Sequence, residues 1–190
     1  MMEAAALPKR ADAVRNRERV VAAAAAVFAE RGVEASVPEV AARAGVGKAT
    51  VYRSFPTKEH LIAAVAAERL AELERGARAR LDAPDAWAAF AELLDEAAQK
   101  QCRDRTLLGA LAAGVPSDLL AGARARMWLA VGALMDRARE QGSMRADVTP
   151  ADVRVLWAGT ARILAADGVD DPAEWRRYAA LVLAALRAGG

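Results

Sequence analysis

Ala41-Ala42-Arg43-Ala44-Gly45-Val46-Gly47-Lys48-Ala49-Thr50-Val51-Tyr52-Arg53-Ser54-Phe55-Pro56-Thr57-Lys58 is the stretch from which the rest of the chain is read. Two short helical segments flank Gly45, separated by about three residues, which is the spacing of a helix-turn-helix. A small residue is needed where the helices cross, and Ala41 supplies it. The turn needs a residue that accepts positive φ, and Gly45 supplies that. Val40, Val46 and Val51 are placed to seal the inner face. Lys48, Ala49, Thr50, Tyr52 and Arg53 are left on or near the outer surface, at the start of a helix that can enter a DNA major groove with its first turns against base edges. The helix N-terminus at Gly47, Lys48 and the following cap at Thr57 and Lys58 are then positioned for phosphates.

The flanking sequence is helical throughout. Asp12 to Arg31 carries Val20, Ala24, Val27 and Phe28 at helical spacing, and Gly32 ends it. Ser36 opens the second helix, with Pro38 in its first turn and Glu39 three residues on, the pattern of a capping box. Pro56 stops the third helix and Thr57 caps a longer fourth. After a break at Asp82-Ala83-Pro84-Asp85 come helices over Asp85–Arg103, Arg105–Ala113 and Ser117–Gln141, then one from Thr149 and one over Ala173–Arg187.

Composition agrees. Alanine accounts for 51 of 190 residues, hydrophobic residues for 55 % and aromatics for only 5 %. That profile suits helices packed closely through small side chains and excludes an all-β fold or a disordered chain. No apolar stretch reaches the roughly 20 residues of a membrane span, and the opening MMEAAALPKR does not read as a signal peptide. A single cysteine, Cys102, fits a reducing cytoplasm and excludes an internal disulfide or multi-cysteine zinc site. The net charge is +2, but it is uneven: residues 1–58 carry ten Lys and Arg against six Asp and Glu, and no acid lies between Glu39 and Glu59. A basic module ahead of a slightly acidic one points to a polyanion partner for the first part alone.

From Arg31-Gly32 to Leu61, and above all from Ala41 to Leu61, the chain resembles the DNA-binding domain of the TetR (tetracycline-repressor-like) family of bacterial regulators. The helix layout that follows is similar to that of many actinobacterial members. The resemblance implies an all-α homodimer: an N-terminal three-helix helix-turn-helix domain, then a C-terminal helical ligand-binding and dimerisation domain, about nine helices in all. The corresponding division is residues 1–58, with an arm at 1–11, a linking fourth helix at 59–80, and 81–190. It implies too that Lys48, Thr50, Tyr52 and Lys58 occupy the family's usual DNA-contacting positions, with Ser36 and Arg43 as secondary candidates. Two positions depart from the common pattern, Gly47 where serine is frequent and Ser54 where histidine is frequent.

The second half offers bulky side chains among alanines. Trp87, Phe90, Leu94, Met127, Trp128, Val131 and Trp157 are the candidates to wall an apolar cavity between helices, each also able to serve as ordinary core. Gln99, Gln101, Arg103 and Thr106 are candidate polar orienters. Val153, Leu156, Trp157, Thr160 and Leu164 form one helical stripe, and Trp175, Tyr178, Val182 and Leu186 another. Two such pairs from two chains would make a four-helix dimer interface. A dimer also meets a geometric need, since two recognition helices roughly 34–36 Å apart read the half-sites of a palindromic operator.

Catalysis and cofactors are not expected. Gly45-Val46-Gly47-Lys48 lacks the upstream glycine and following hydroxyl of a phosphate loop. Glu92 and Glu96 share a helix face without histidines to complete a metal site, and no nucleophile–base pair stands out. The expectation is a ligand-responsive regulator, of a repressor kind, that binds double-stranded DNA and an unidentified small apolar or amphipathic effector, needs no metal, and has no membrane partner. The alternatives are a helical carrier or enzyme, which leaves the helix-turn-helix unexplained, and a DNA-binding protein whose second half binds another protein.

Overall fold

The computed structural model describes residues 6–189. Among them are α1 (Ala6–Arg31), α2 (Val37–Ala44), α3 (Lys48–Ser54), α4 (Lys58–Ala79), α5 (Ala86–Arg103), α6 (Thr106–Ala112), α7 (Ser117–Glu140), α8 (Pro150–Ala166) and α9 (Pro172–Leu186). The first helix begins at Ala6 rather than Asp12, so the expected arm is reduced to residues 1–5, which lie outside the described residues.

Helices α4, α5, α8 and α9 begin where side chains satisfy free N–H groups of the first turn. Thr57 accepts from the His60 N–H at 3.4 Å, Asp85 from Ala88 at 2.9 Å, Thr149 from Asp152 at 3.3 Å and Asp171 from Ala173 at 2.8 Å. At Ser36 the carboxylate of Glu39 accepts from both the backbone N–H (2.7 Å) and the hydroxyl (2.8 Å). These bonds, with Arg31 beyond them, hold the Glu39 carboxyl below the usual carboxylate range.

One continuous core runs through the described residues. In α1–α3 it holds Val20, Val27, Phe28, Val40, Val51 and Phe55. Helix α4 packs against α1 and, most extensively, against α7, and it touches α5 and α6 as well. A second link between the halves bypasses α4: a Cβ on Gly109 in α6 would sit 3.0 Å from the methyls of Val33, which follows α1. Only glycine fits that approach without displacing the valine.

The C-terminal helices close around Trp175, which is fully buried, donates from Nε1 to the Val169 carbonyl at 2.9 Å and meets the Trp157 ring edge-on at 6.3 Å. Arg105 reaches the carbonyls of Ala165 and Val169 at the end of α8. Cys102 is buried, with its thiol donating to the Asp170 carbonyl at 3.3 Å. Burial pushes that thiol up, so it stays protonated and behaves as a small packed group. Glu92 and Glu96 are solvent-facing, and both lie beside Arg80, Glu96 at 2.6 Å.

A charged chain ties α4 to the α5–α6 corner. Arg69 donates to Asp104 at 2.7 Å and to Glu72 at 2.8 Å, Lys100 donates to Glu72 at 3.0 Å, and Asp104 accepts the Thr106 N–H at 3.0 Å. Burial works against the charge on Glu72, but Lys100 and Arg69 outweigh it and hold its carboxyl low. A depressed carboxyl stabilises the fold fully above its unfolded value, about 4.3, and that contribution is lost as pH falls through the lower folded value. Glu72→Gln is therefore expected to lower Tm near neutrality and to flatten its fall in acid, as measured by thermal melts from about pH 7 to pH 3.

Candidate DNA-reading surface and effector cavity

The turn between α2 and α3 has the geometry its sequence requires. Gly45 sits at φ 64°, ψ 37°, in the left-handed region, and closes the end of α2 with Val46, whose N–H reaches the Ala41 carbonyl at 3.0 Å. Ala41 and Ala44 are buried beneath the crossing, and Val51 and Phe55 plug α3 into the core. Val51 and Phe55 are buried, while Lys48, Ala49, Tyr52 and Arg53 are all exposed. Tyr52 is 46 % exposed, too much for a ring packed under the helix pair. Thr50 is half-buried, and Gly47, just before the helix, is exposed. Helix α3 is about 10 Å long at ~1.5 Å per residue, comparable to the ~12 Å width of a major groove.

The cations around this surface differ in what holds them. Lys48 and Arg53 make no ion pair or side-chain hydrogen bond among the described residues. Arg43 is paired with Glu30 through two bonds of 3.1 and 3.2 Å. Lys58 donates to the Glu34 carbonyl at 3.1 Å, and Ser36 is exposed but bonded to Glu39. Arg17 and Arg19 of α1 reach across to the motif. Arg17 donates to the Ser54 carbonyl at 3.0 Å and lies 4.3 Å from the centre of the Phe55 ring, while Arg19 donates to the Ala44 carbonyl at 2.8 Å. Each guanidinium satisfies a carbonyl at a helix C-terminus, where positive charge is also favoured by the dipole. Their spacing on α1 gave no signal of this, because the partners are backbone atoms.

In the second half, Phe90, Leu94, Gln101, Met127, Trp128, Val131 and Trp157 line one cavity of about 240 Å³. Of the residues expected there only Trp87 is absent. It packs beside Phe90, 6.1 Å between ring centres, with Arg187 over its face at 5.6 Å, one layer away from the cavity. Leu70 and Leu73 of α4, Leu93 and Ala97 of α5, Leu107 and Leu108 of α6, Arg124 of α7, and Val153, Arg154 and Ala158 of α8 complete the lining. The two arginines were legible in principle: Arg124 stands one turn before Met127 and Trp128, and Arg154 one turn before Trp157. Of the other polar candidates, Gln99 donates to Asp95, Thr106 is buried at the start of α6, and Arg103 lines a neighbouring charged groove with Gln101.

The stripes expected to pair two chains face the protomer's own core. Val153, Trp157, Leu164, Trp175, Val182 and Leu186 are all buried, and Tyr178 is half-buried beneath Arg177. Leu156 alone of the apolar set is exposed, with Thr160 half-buried beside it and bonded to the Leu156 carbonyl. The outward face of α8 carries Val155, Leu156, Gly159 and Ile163, and α9 adds Leu181. The periodicity was right, but the side of the helix was not: the larger side chains are needed to fill the single core.

Comparison with known proteins agrees with this architecture. The model for bacterial regulatory proteins of the tetR family matches residues 20–65, and that for the C-terminal domain of SbtR-like transcriptional regulators matches residues 82–188. A TetR transcriptional regulator of Streptomyces coelicolor is 32 % identical, with 92 % of this chain and 99 % of that one covered and a TM-score of 0.68. A TetR regulator of Mycobacterium vanbaalenii is 33 % identical, over 95 % and 99 % of the two chains, with a TM-score of 0.66. SmeT, the repressor of a Stenotrophomonas maltophilia multidrug efflux pump, shares the fold at 21 % identity, over 92 % and 91 %, with a TM-score of 0.65. The comparison with curated proteins finds no match. The chain belongs to the TetR family of transcriptional regulators; it is a DNA-binding regulator and not an enzyme.

Lys48→Ala and Tyr52→Ala are expected to weaken binding to a natural operator by roughly tenfold each while leaving the melting temperature within a few degrees of the parent. Lys48→Ala should also reduce the salt slope of binding by about 1, as loss of one phosphate contact requires. Titrations by fluorescence anisotropy at several salt concentrations measure both.

Proposed function

We propose that the protein is a dimeric repressor whose grip on a palindromic operator is released by a small apolar or amphipathic effector held in the 240 Å³ cavity. The observation that carries this reading is the position of α4. It starts at Lys58, separated by three residues from the end of the recognition helix α3, and its Leu70 and Leu73 line the cavity. Lys58 and Leu73 are about 22 Å apart along the helix at ~1.5 Å per residue. A packed helix moves as a rod, so a ligand that fits the cavity better in one tilt of α4 biases the spacing of the recognition helices. The ligand shifts the balance only by its differential affinity for the two tilts.

In this reading residues 1–58 read DNA through Ser36, Arg43, Gly47, Lys48, Ala49, Thr50, Tyr52, Arg53 and Lys58. Residues 59–80 transmit, and 81–190 sense and pair. Arg43 and Lys58 exchange their present partners for phosphates when DNA binds. The paired face is the outer one, Val155, Leu156, Gly159 and Ile163 of α8 with Leu181 of α9. Residues 155, 159 and 163 are one turn apart and form a ridge, and the glycine lets a second helix approach closely. No described helix is long and apolar enough to cross a membrane, and a cytoplasmic location beside the DNA completes the proposal.

Leu156→Asp with Ile163→Asp should give a folded monomer that no longer binds a palindromic operator, by sedimentation and gel shift. Val182→Asp, in contrast, places an unpaired charge in the core and should unfold the chain rather than dissociate it. Val131→Trp, which fills the cavity, should leave operator affinity within a few-fold of the parent and abolish release by effector.

A further inference from the structure

Resting on the reading of this cavity as the effector site, we infer that the effector is an amphipathic acid: a compact apolar body bearing a single anionic group, held by Arg124 and assisted by Arg154. Both arginines line the cavity. Arg124 is half-buried, and neither side chain has an acidic or carbonyl partner among the described residues. The other partly buried guanidiniums from α4 to α7 each have an acidic or carbonyl partner. Arg69 is held by Asp104 and Glu72, Arg80 by Glu96, Arg105 by two carbonyls, Arg137 by the Ala83 carbonyl and Arg139 by Asp136.

A guanidinium left partly desolvated in a cavity it shares with Phe90, Trp128 and Trp157, without a counter-charge, is costly unless something brings one. It also presents a fork suited to a carboxylate, which it can grip through two parallel bonds. Two further polar atoms of the lining residues, Gln101 Oε1 and Trp157 Nε1, are buried and have no partner. The indole N–H is a neutral donor for a second ligand oxygen, and Gln101 accepts from a ligand hydroxyl or amide. The rest of the wall is leucine, valine, methionine and aromatic, which rejects a second charge. The volume lies just below the range of about 300–1,000 Å³ usual for drug-sized ligands, so the body is small: one or two fused rings or a short branched or straight chain.

The test uses the full-length protein and four acids, phenylacetate, 1-naphthoate, octanoate and decanoate, each paired with its neutral primary amide. Binding is followed by quenching of tryptophan emission and by calorimetry, with Arg124→Gln, Arg154→Gln and Val131→Trp as variants. In the parent, at least one acid should bind about tenfold to a hundredfold tighter than its amide, the range expected for a charge-assisted bond. Arg124→Gln should erase that preference while leaving amide affinity within about twofold, Arg154→Gln should reduce it, and Val131→Trp should abolish binding of both. Equal affinity of acids and amides, or an acid preference that survives Arg124→Gln with Arg154→Gln, would overturn the assignment of charge while leaving the cavity reading intact. Binding unaffected by Val131→Trp, or no binding by any of the eight compounds, would overturn the cavity reading itself.

Discussion

Helix α4 is packed on both sides along its length, and most of what this protein can do depends on that. Leu61, Ile62, Val65, Leu70 and Ala77 are buried in one continuous core, so the helix cannot tilt in one half without disturbing the other. Its alanines let α7 come close, and Arg69, with Glu72 and Asp104, fixes its midpoint to the α5–α6 corner. Close packing of this kind has few arrangements of similar energy. That is the condition under which a small ligand can select between two positions of a rod rather than deform it gradually.

The alanine content shapes the sensing half as well as the joint. Helices faced with alanine approach closely and leave little room, so a cavity forms only where larger residues hold them apart. Phe90, Met127, Trp128 and Trp157 do this, and the space they enclose is apolar except where Arg124, Arg154 and Gln101 enter. The same economy explains α8 and α9. With few large apolar residues available, the tryptophans go to the protomer core, and a smaller set, Val155, Leu156, Ile163 and Leu181, is left outside.

The DNA-reading end is preorganised by contacts from outside the motif. Arg17 and Arg19 of α1 close the C-termini of α3 and α2, and Gly109 of α6 presses on Val33. Lys48, Tyr52 and Arg53 are therefore presented on a helix held at both ends, which reduces the ordering cost of docking into a groove.

The order and ends of the helices were legible from the chain because they are local. Capping by Thr57 and Thr149, the left-handed turn at Gly45 and the stop at Pro56 depend on residues within a few positions of one another, and the bulky side chains among alanines pointed to Phe90, Leu94, Met127, Trp128, Val131 and Trp157 of the cavity lining but not to Leu70, Leu73, Leu107 or Leu108. The helix-turn-helix surface was legible for the same reason, since Gly45, the apolar Val46 and Val51 and the polar residues of α3 lie within a few positions of one another. Tertiary structure alone decided the use of Arg17 and Arg19 as clamps and the inward turn of Trp157, Trp175 and Val182. Each of these depends on which of two chemically acceptable environments a side chain meets, and that choice is made by distant backbone, through contacts that no local spacing encodes.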